Sequence, residues 1–420
     1  MGARFTSVVA LAVSAVLLSL APGALAYEFG PNVRQIAPEQ TVFDWSTQRC
    51  ADDHIPDGPA RAFKDSNGQV QLMTSSDVNR RMIGPTLDTV GVDCTVTMSS
   101  HSNADPAAYD DKEWLNAFWT PDGKTIAALV HEEYEGWEHP GMCAFQGAPK
   151  HPKLATIPPP REFPNVDLTC WYNSVTTATS TDSGLTYTHA TPPSQLSASV
   201  PYQYVPDLPP YGYFEPSNII RRSDGYFYSM IYAEAYGAQQ VGVCAIRSRN
   251  PASPTSWRAW DGAGYNVKFI NPYIDPGPPE QHVCQPVSFD EIEKMNSNVT
   301  YNTFFQKYLL IGATGLYDPG TGEVVYGVYY STSSDLVHWS MRQLVMKAEL
   351  LWTYQCGDED PIAYPSALLQ TSSRNFETTG KKVWLYFTRF NDENCFLGLD
   401  RDLIRIPIEF LSTTNPTPTP

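Results

Sequence analysis

Apolar positions along this chain come in short runs with no long helical stripe. Gln69-Val70-Gln71-Leu72-Met73, Thr125 to Val130, Gly225 to Tyr232, Tyr308-Leu309-Leu310-Ile311 and Lys382 to Phe387 are each bounded by Gly, Pro, Asp or Asn, the punctuation of β-strands and turns. No stretch keeps a 3.6-residue period over three turns with caps at its ends. Thirty-six prolines would break helices and central strands alike, so they belong in loops and at strand starts. The pattern predicts an all-β fold.

A weak repeat refines that expectation. Gly58-Pro59-Ala60-Arg61-Ala62-Phe63, Glu215-Pro216-Ser217-Asn218-Ile219-Ile220 and Tyr364-Pro365-Ser366-Ala367-Leu368-Leu369 share the form x-Pro-small-x-apolar-apolar, and Gln285-Pro286-Val287-Ser288-Phe289 is a looser copy. Leu115 to Trp119, the turn Thr120-Pro121-Asp122-Gly123-Lys124 and Thr125 to Val130 supply the same strand-turn-strand without the proline, making five units. Radial repetition of such units is a β-propeller, here with five blades; a two-sheet sandwich with coincidental prolines is the competing arrangement. Ser180-Thr181-Asp182-Ser183-Gly184-Leu185-Thr186-Tyr187 has the S-x-D-x-G-x-T-aromatic form of an Asp box, Ser333 to Trp339 has a related one, and Ser256-Trp257 is a degraded third. In such a turn the carboxylate accepts backbone N–H groups and glycine takes a positive φ, so Asp182 is read as structural.

The ends and the cysteines bear on compartment. Arg4, the apolar run from Val8 and the small-x-small site Ala24-Leu25-Ala26 read as a signal peptide over residues 1–26, too short for a comfortable membrane span. One catalytic propeller domain is expected over residues 27–411, followed by a disordered Thr/Pro tail over 412–420. Cys50, Cys94, Cys143, Cys170, Cys244, Cys284, Cys356 and Cys395 all follow the leader with no C-x-x-C pair among them, which favours up to four disulfides in a secreted, extracellular protein over zinc. Lys and Arg total 28 against 45 Asp and Glu, a net charge of -17. That balance argues against nucleic acid and against an anionic membrane surface, leaving a neutral or cationic ligand for an expected monomer.

Two carboxyl groups in unlike surroundings can divide acid and base roles, one held protonated and the other ionised. Glu215 stands beside Tyr211, Tyr213 and Phe214, an apolar setting that raises a carboxyl pKa. Asp57 follows Asp52, Asp53 and His54, a polar setting that suits a base. The competing reading of each is an ordinary loop or turn residue. Asp57-Gly58-Pro59, and Glu215-Pro216 leading into Arg221-Arg222-Ser223-Asp224-Gly225-Tyr226-Phe227-Tyr228, resemble the motifs of five-bladed propeller glycoside hydrolases of the arabinanase, xylosidase and fructosidase type. The resemblance spans roughly residues 45 to 410, and it implies a propeller whose acidic side chains converge on a central funnel, with arabinan-type glycans as substrate class. Leu129-Val130-His131-Glu132-Glu133-Tyr134 and Cys170-Trp171-Tyr172-Asn173 are also similar to segments of exported bacterial propeller proteins.

On a strand, His131 and Glu133 share one face and Glu132 takes the other, so His131 is a candidate for binding a sugar hydroxyl and Glu133 for tuning a neighbouring carboxyl. The H-E-x-x-H of a metalloprotease is missing; a metal on His131, Glu133 and His139 is the weaker alternative. Arg61, four residues past Asp57, is a candidate for clamping a carboxylate or orienting the base, or else a structural residue. Trp119 and Trp137, with Trp171 and Trp352, are candidates for stacking on sugars, although a tryptophan is more often core. Asp360, in Asp358-Glu359-Asp360-Pro361, is placed provisionally at the funnel, and Asn298-Val299-Thr300 is a glycosylation sequon in a eukaryotic host. No G-x-S-x-G, P-loop or dinucleotide motif is present. No cofactor and no metal are expected, a structural calcium being compatible but not indicated. The reading is a secreted glycoside hydrolase using Asp57, Glu215 and Glu133; the alternatives are a non-catalytic carbohydrate-binding propeller and a sialidase-like hydrolase.

Overall fold

The computed structural model describes residues 27–144 and 169–412; the expected leader and the Thr/Pro tail from residue 413 lie outside them. The fold is all-β, its strands hydrogen-bonded into four sheets. The first is the antiparallel meander Arg61–Lys64, Val70–Met73, Val78–Gly84 and Gly91–Ser99. The second has eleven strands and consists of two meanders. Lys112–Trp119, Ile126–Glu135 and Trp171–Ser180 form one. Tyr211–Phe214, Phe227–Glu234 and Gly242–Ser248 lead the other. A short parallel pairing of Tyr211 with Tyr172 and Gly212 with Asn173 joins them. Asn298–Asn302, Lys307–Asp318, Glu323–Ser333 and Gln343–Lys347 build the third sheet. In the last, Ile362–Leu368, Lys382–Asp392 and Leu397–Phe410 are completed by the N-terminal strands Val33–Gln35 and Gln40–Phe43.

Each meander is apolar on both faces, and this determines the packing. Phe63, Met73, Leu115 and Val130 fill the seam between the first and second; Val175, Tyr213, Ile219 and Ile231 the next. Ile220, Met230, Val299 and Leu310 fill the third seam, and Leu309, Ile311, Leu385 and Ile404 the fourth. Ala62, Leu72, Leu368 and Leu403 then pack the last meander on the first. Strands buried on two sides read as near-continuous apolar or small runs, which is why Ile126–Glu135 is buried along almost its whole length.

The opening strands of the meanders meet through backbone and asparagine contacts. Asn218 Oδ1 accepts from Val299 N (2.8 Å), Asn298 Oδ1 accepts from Ala367 N (3.2 Å), and Ser366 Oγ donates to Ala60 O (3.0 Å). Asn298 is therefore buried in the centre, which removes it as a glycosylation site. The looser repeat at Gln285 is also corrected. Pro286 and Val287 cover the edge of Gly242–Ser248, Val287 N donating to Val243 O (2.8 Å), and Phe289–Ile292 is a single helical turn. The strand that opens the meander is Asn298–Asn302, missed because its register mate of Ser217-Asn218-Ile219 is Ser297-Asn298-Val299, without the proline.

The Asp-box turn forms as expected. Asp182 accepts from Ser180 Oγ (2.7 Å), Thr186 N (3.0 Å) and Thr186 Oγ1 (2.6 Å), Gly184 has φ +80°, and Tyr187 is buried. Asp335 repeats the device for His338 N and Val337 N. Four disulfides tie Cys50 to Cys94, Cys143 to Cys170, Cys244 to Cys284 and Cys356 to Cys395. Among the described residues no helix is long and apolar enough to cross a membrane.

Candidate functional site

The pre-proline repeat has a consequence at the centre of the molecule. Glu215 and Tyr364 each precede a proline and each has a positive φ, 31° and 58°, a conformation that is strained for a side chain of this size. Tyr364 sits at a register shift inside strand Ile362–Leu368 and Glu215 directly follows strand Tyr211–Phe214, and both side chains line a cleft of about 750 Å³. Asp57, one residue before the corresponding place in the first unit, is held by its N–H to Thr74 O (2.9 Å) and Ser75 O (3.0 Å). Its carboxylate is ion-paired with Arg401 and accepts from Tyr364 Oη (3.2 Å).

Glu133 reaches the same region from the second meander. It accepts from Trp171 Nε1 (2.9 Å), and its other oxygen lies 3.2 Å from His131 Nδ1. His131 is anchored through Nε2 on Asn173 (2.9 Å), and burial pushes its pKa down to about 4, so it is neutral near pH 7. Phe214, next to Glu215, packs against both Trp171 and His131, with ring centroids 5.4 and 5.8 Å away. Glu132 turns to the opposite face and accepts from Ser174 Oγ (2.6 Å), as strand alternation requires.

The electrostatics link the three carboxyl groups. Burial, reinforced by the Asp57 charge and opposed by Arg61, pushes Glu215 up to about 7. Burial also pushes Glu133 well above the usual carboxylate range, with further upward contributions from Glu135, Asp57 and Glu215. Desolvation with like charges nearby is the arrangement that keeps one carboxyl protonated beside an ionised one. Across the cleft, Glu234 accepts from Tyr232 Oη (2.9 Å), and Lys294 Nζ stands 4.2 Å over the Trp352 ring.

Other expected site residues fall elsewhere. Arg61 is 2% exposed, and its guanidinium donates to the carbonyls of Asn116 (2.8 Å), Pro216 (3.4 Å) and Ser297 (2.6 Å). It is a staple between opening strands, closed off from solvent. Trp119 packs edge-on against Phe227 (4.5 Å). It pairs with Ala127 while Lys112 pairs with Glu133, so it lies at the far end of its strand, roughly 20 Å from the carboxyl groups at about 3.3 Å per residue. Trp137 is buried behind Trp171. Asp360 accepts from Asp392 N (3.0 Å) and pins a loop. His139 Nε2 lies 2.9 Å from Asp111, so His131, Glu133 and His139 do not converge on a metal.

Arg401, Tyr364, Tyr232, Glu234 and Lys294 were not singled out from the sequence. Tyr364 carried a readable signal, since it occupies the repeat position of Glu215. Trp171 and Trp352, not Trp119 and Trp137, are the tryptophans beside the carboxyl groups and the cleft.

No family model matches the chain, and neither does any curated protein. Solved glycoside hydrolases are similar to it across most of its length at low identity. A thermostable family-43 glycoside hydrolase is 10% identical over 86% of this chain and 94% of its own, with a TM-score of 0.41. An exo-1,5-α-L-arabinanase from a bovine ruminal metagenomic library is 9% identical over 86% and 96%, TM-score 0.44. The Cellvibrio cellulosa α-L-arabinanase complexed with arabinohexaose is 10% identical over 82% and 91%, TM-score 0.37.

Proposed function

We propose that this chain is a secreted glycoside hydrolase built as a five-bladed β-propeller, each meander being one blade and the N-terminal strands closing the last. The observation that carries the reading is the mutual electrostatic influence of Glu215, Asp57 and Glu133 beside the cleft that Glu215 lines, with Glu215 pushed up to about 7 and Asp57 paired to Arg401. In this mechanism Glu215 donates its proton to the leaving oxygen while Asp57 activates a water, giving inversion at the anomeric carbon. Glu133, flanked by His131 and Trp171 and itself pushed well above the usual carboxylate range, stays protonated beside the pair, so the charge that helps keep Glu215 protonated is that of Asp57. Trp352 and Tyr364 offer ring faces to a sugar. Pentose-containing glycans such as arabinan are the substrate class implied by the sequence resemblance, and four disulfides suit an extracellular setting.

The test is turnover of Glu215→Gln and Asp57→Asn on a polysaccharide and on an activated aryl glycoside. Each variant should lose about 100- to 10,000-fold on the polysaccharide. Glu215→Gln should keep most of its rate on the aryl glycoside, which needs little protonation, and azide should rescue Asp57→Asn. Early proton NMR should show the inverted anomer. Near-wild-type rates in both variants remove the catalytic assignment; a retained anomer removes inversion.

A further inference from the structure

Away from the cleft, four ligand-type side chains meet where the chain passes from the first meander to the second. His101 follows strand Gly91–Ser99, Asp110 and Glu113 flank the start of Lys112–Trp119, and His189 lies in the two-residue strand Thr188–His189. One donor atom from each lies within 4.8 Å of all the others. His101 Nδ1 is 2.9 Å from Asp110 Oδ1 and 2.8 Å from Glu113 Oε2; His189 Nε2 is 3.2 Å from Asp110 Oδ1 and 3.4 Å from Glu113 Oε1. Donors around a tetrahedral ion with bonds of about 2.0–2.2 Å are roughly 3.3–3.6 Å apart.

Two further observations point to a ligand. Glu113 is fully buried and Asp110 is 7% exposed, yet Asp110 Oδ1, Glu113 Oε1 and His189 Nε2 complete no hydrogen bond despite their proximity. All three belong to the same four-residue cluster, and buried polar atoms without partners are costly. His189 also has an outer partner, its Nδ1 lying 2.7 Å from Ala190 O. Donating there leaves Nε2 as the nitrogen that faces Asp110 and Glu113, whose carboxylates push the His189 pKa up to about 10, so an ion has to displace that proton, as it does at ligating histidines held by an outer partner. The backbone holds the rest in place: Glu113 N donates to Ser100 Oγ (2.8 Å), Asn79 Nδ2 to Glu113 O (2.8 Å), and Asn103 N to Asp110 O (3.1 Å).

We propose that His101, Asp110, Glu113 and His189 form a four-ligand structural site for a divalent transition ion of the zinc type, clamping the seam between the first two meanders. Two imidazoles disfavour calcium and magnesium, which take oxygen ligands, and the absence of thiolates disfavours copper(I). Two carboxylates neutralise the ion, and four protein ligands close its shell, so the role is structural. The site is independent of the carboxyl groups at the cleft.

The experiment titrates zinc chloride into the full-length, disulfide-intact protein after EDTA treatment, read by calorimetry and melting temperature. One equivalent should bind with a micromolar or tighter Kd and raise the melting temperature. His189→Ala and the surface variant His101→Ala should each weaken binding at least tenfold, while His338→Ala, at an exposed histidine on the Asp335 turn, leaves it unchanged. Glycosidase turnover of His101→Ala should match wild type. Absence of a stoichiometric zinc site, binding that both variants leave intact, or a preference for calcium would each overturn the assignment.

Discussion

Glu215 combines two unfavourable features, a positive φ and a carboxyl held largely out of water. Residues kept in such states cluster where function requires them. Its titration has two measurable consequences. If Glu215 must be protonated to act, turnover should fall as pH rises through about 7, and this limb should vanish in Glu215→Gln on an aryl glycoside. Stability should change over the same range. The folded value of about 7 exceeds the ordinary 4.5, so the native state keeps a proton that the unfolded chain releases. Native stability therefore declines between those two values as pH rises. Glu215→Gln cannot ionise, so its melting temperature should match wild type below pH 4.5 and exceed it above pH 7. Equal melting at all pH values would mean that Glu215 titrates as an ordinary surface carboxylate.

At the scale of elements, the Asp-box turn shows how a short motif can be structural beside a catalytic proposal. Burial disfavours the Asp182 charge but is outweighed by hydrogen bonds from Thr186 and Ser180, so its pKa is lowered. Asp182→Ala should cost about 1–3 kcal/mol, from charge-assisted turn hydrogen bonds lost, with turnover per folded molecule unchanged. A loss of activity without a change in melting would put this turn in the site. The same scale explains the tryptophans. Trp119 and Glu133 lie on adjacent strands in antiparallel register, so proximity in the sheet still leaves them at opposite ends.

For the whole molecule, closure depends on a few groups that bridge meanders. Arg61 ties Asn116, Pro216 and Ser297 together from the first opening strand. Arg61→Met keeps much of the volume but orphans buried carbonyls; two short hydrogen bonds to a charged donor are worth about 3–5 kcal/mol together. The variant should melt lower without shifting the activity pH profile of the folded fraction. A profile shift with unchanged melting would reassign Arg61 to the site. The described residues hold no free cysteine, so the native protein should titrate no thiols. Reduction should lower the melting temperature, with about 2–4 kcal/mol expected per bridge.

Local patterning determined a good deal by itself. Side-chain alternation acts over two residues and turn chemistry over four, so the strands, the Asp182 turn and the shared face of His131 and Glu133 were legible in the sequence. Glu215 was singled out by the repeated proline that follows it, and Asp57 by a similar motif with Gly58 inserted before Pro59. Partners distant in the chain were not. Arg401 meets Asp57 across 344 residues, Tyr364 meets it across 307, and His189 joins His101 only because two meanders share a seam. Arg61 looked equally suited to a substrate clamp and to a structural tie until the carbonyls of three other segments closed around it. Which strand ends meet, and which tryptophan face stays open, depends on how buried faces pack on one another around the molecule. That is a property of the assembled sheets, and no short window of sequence contains it.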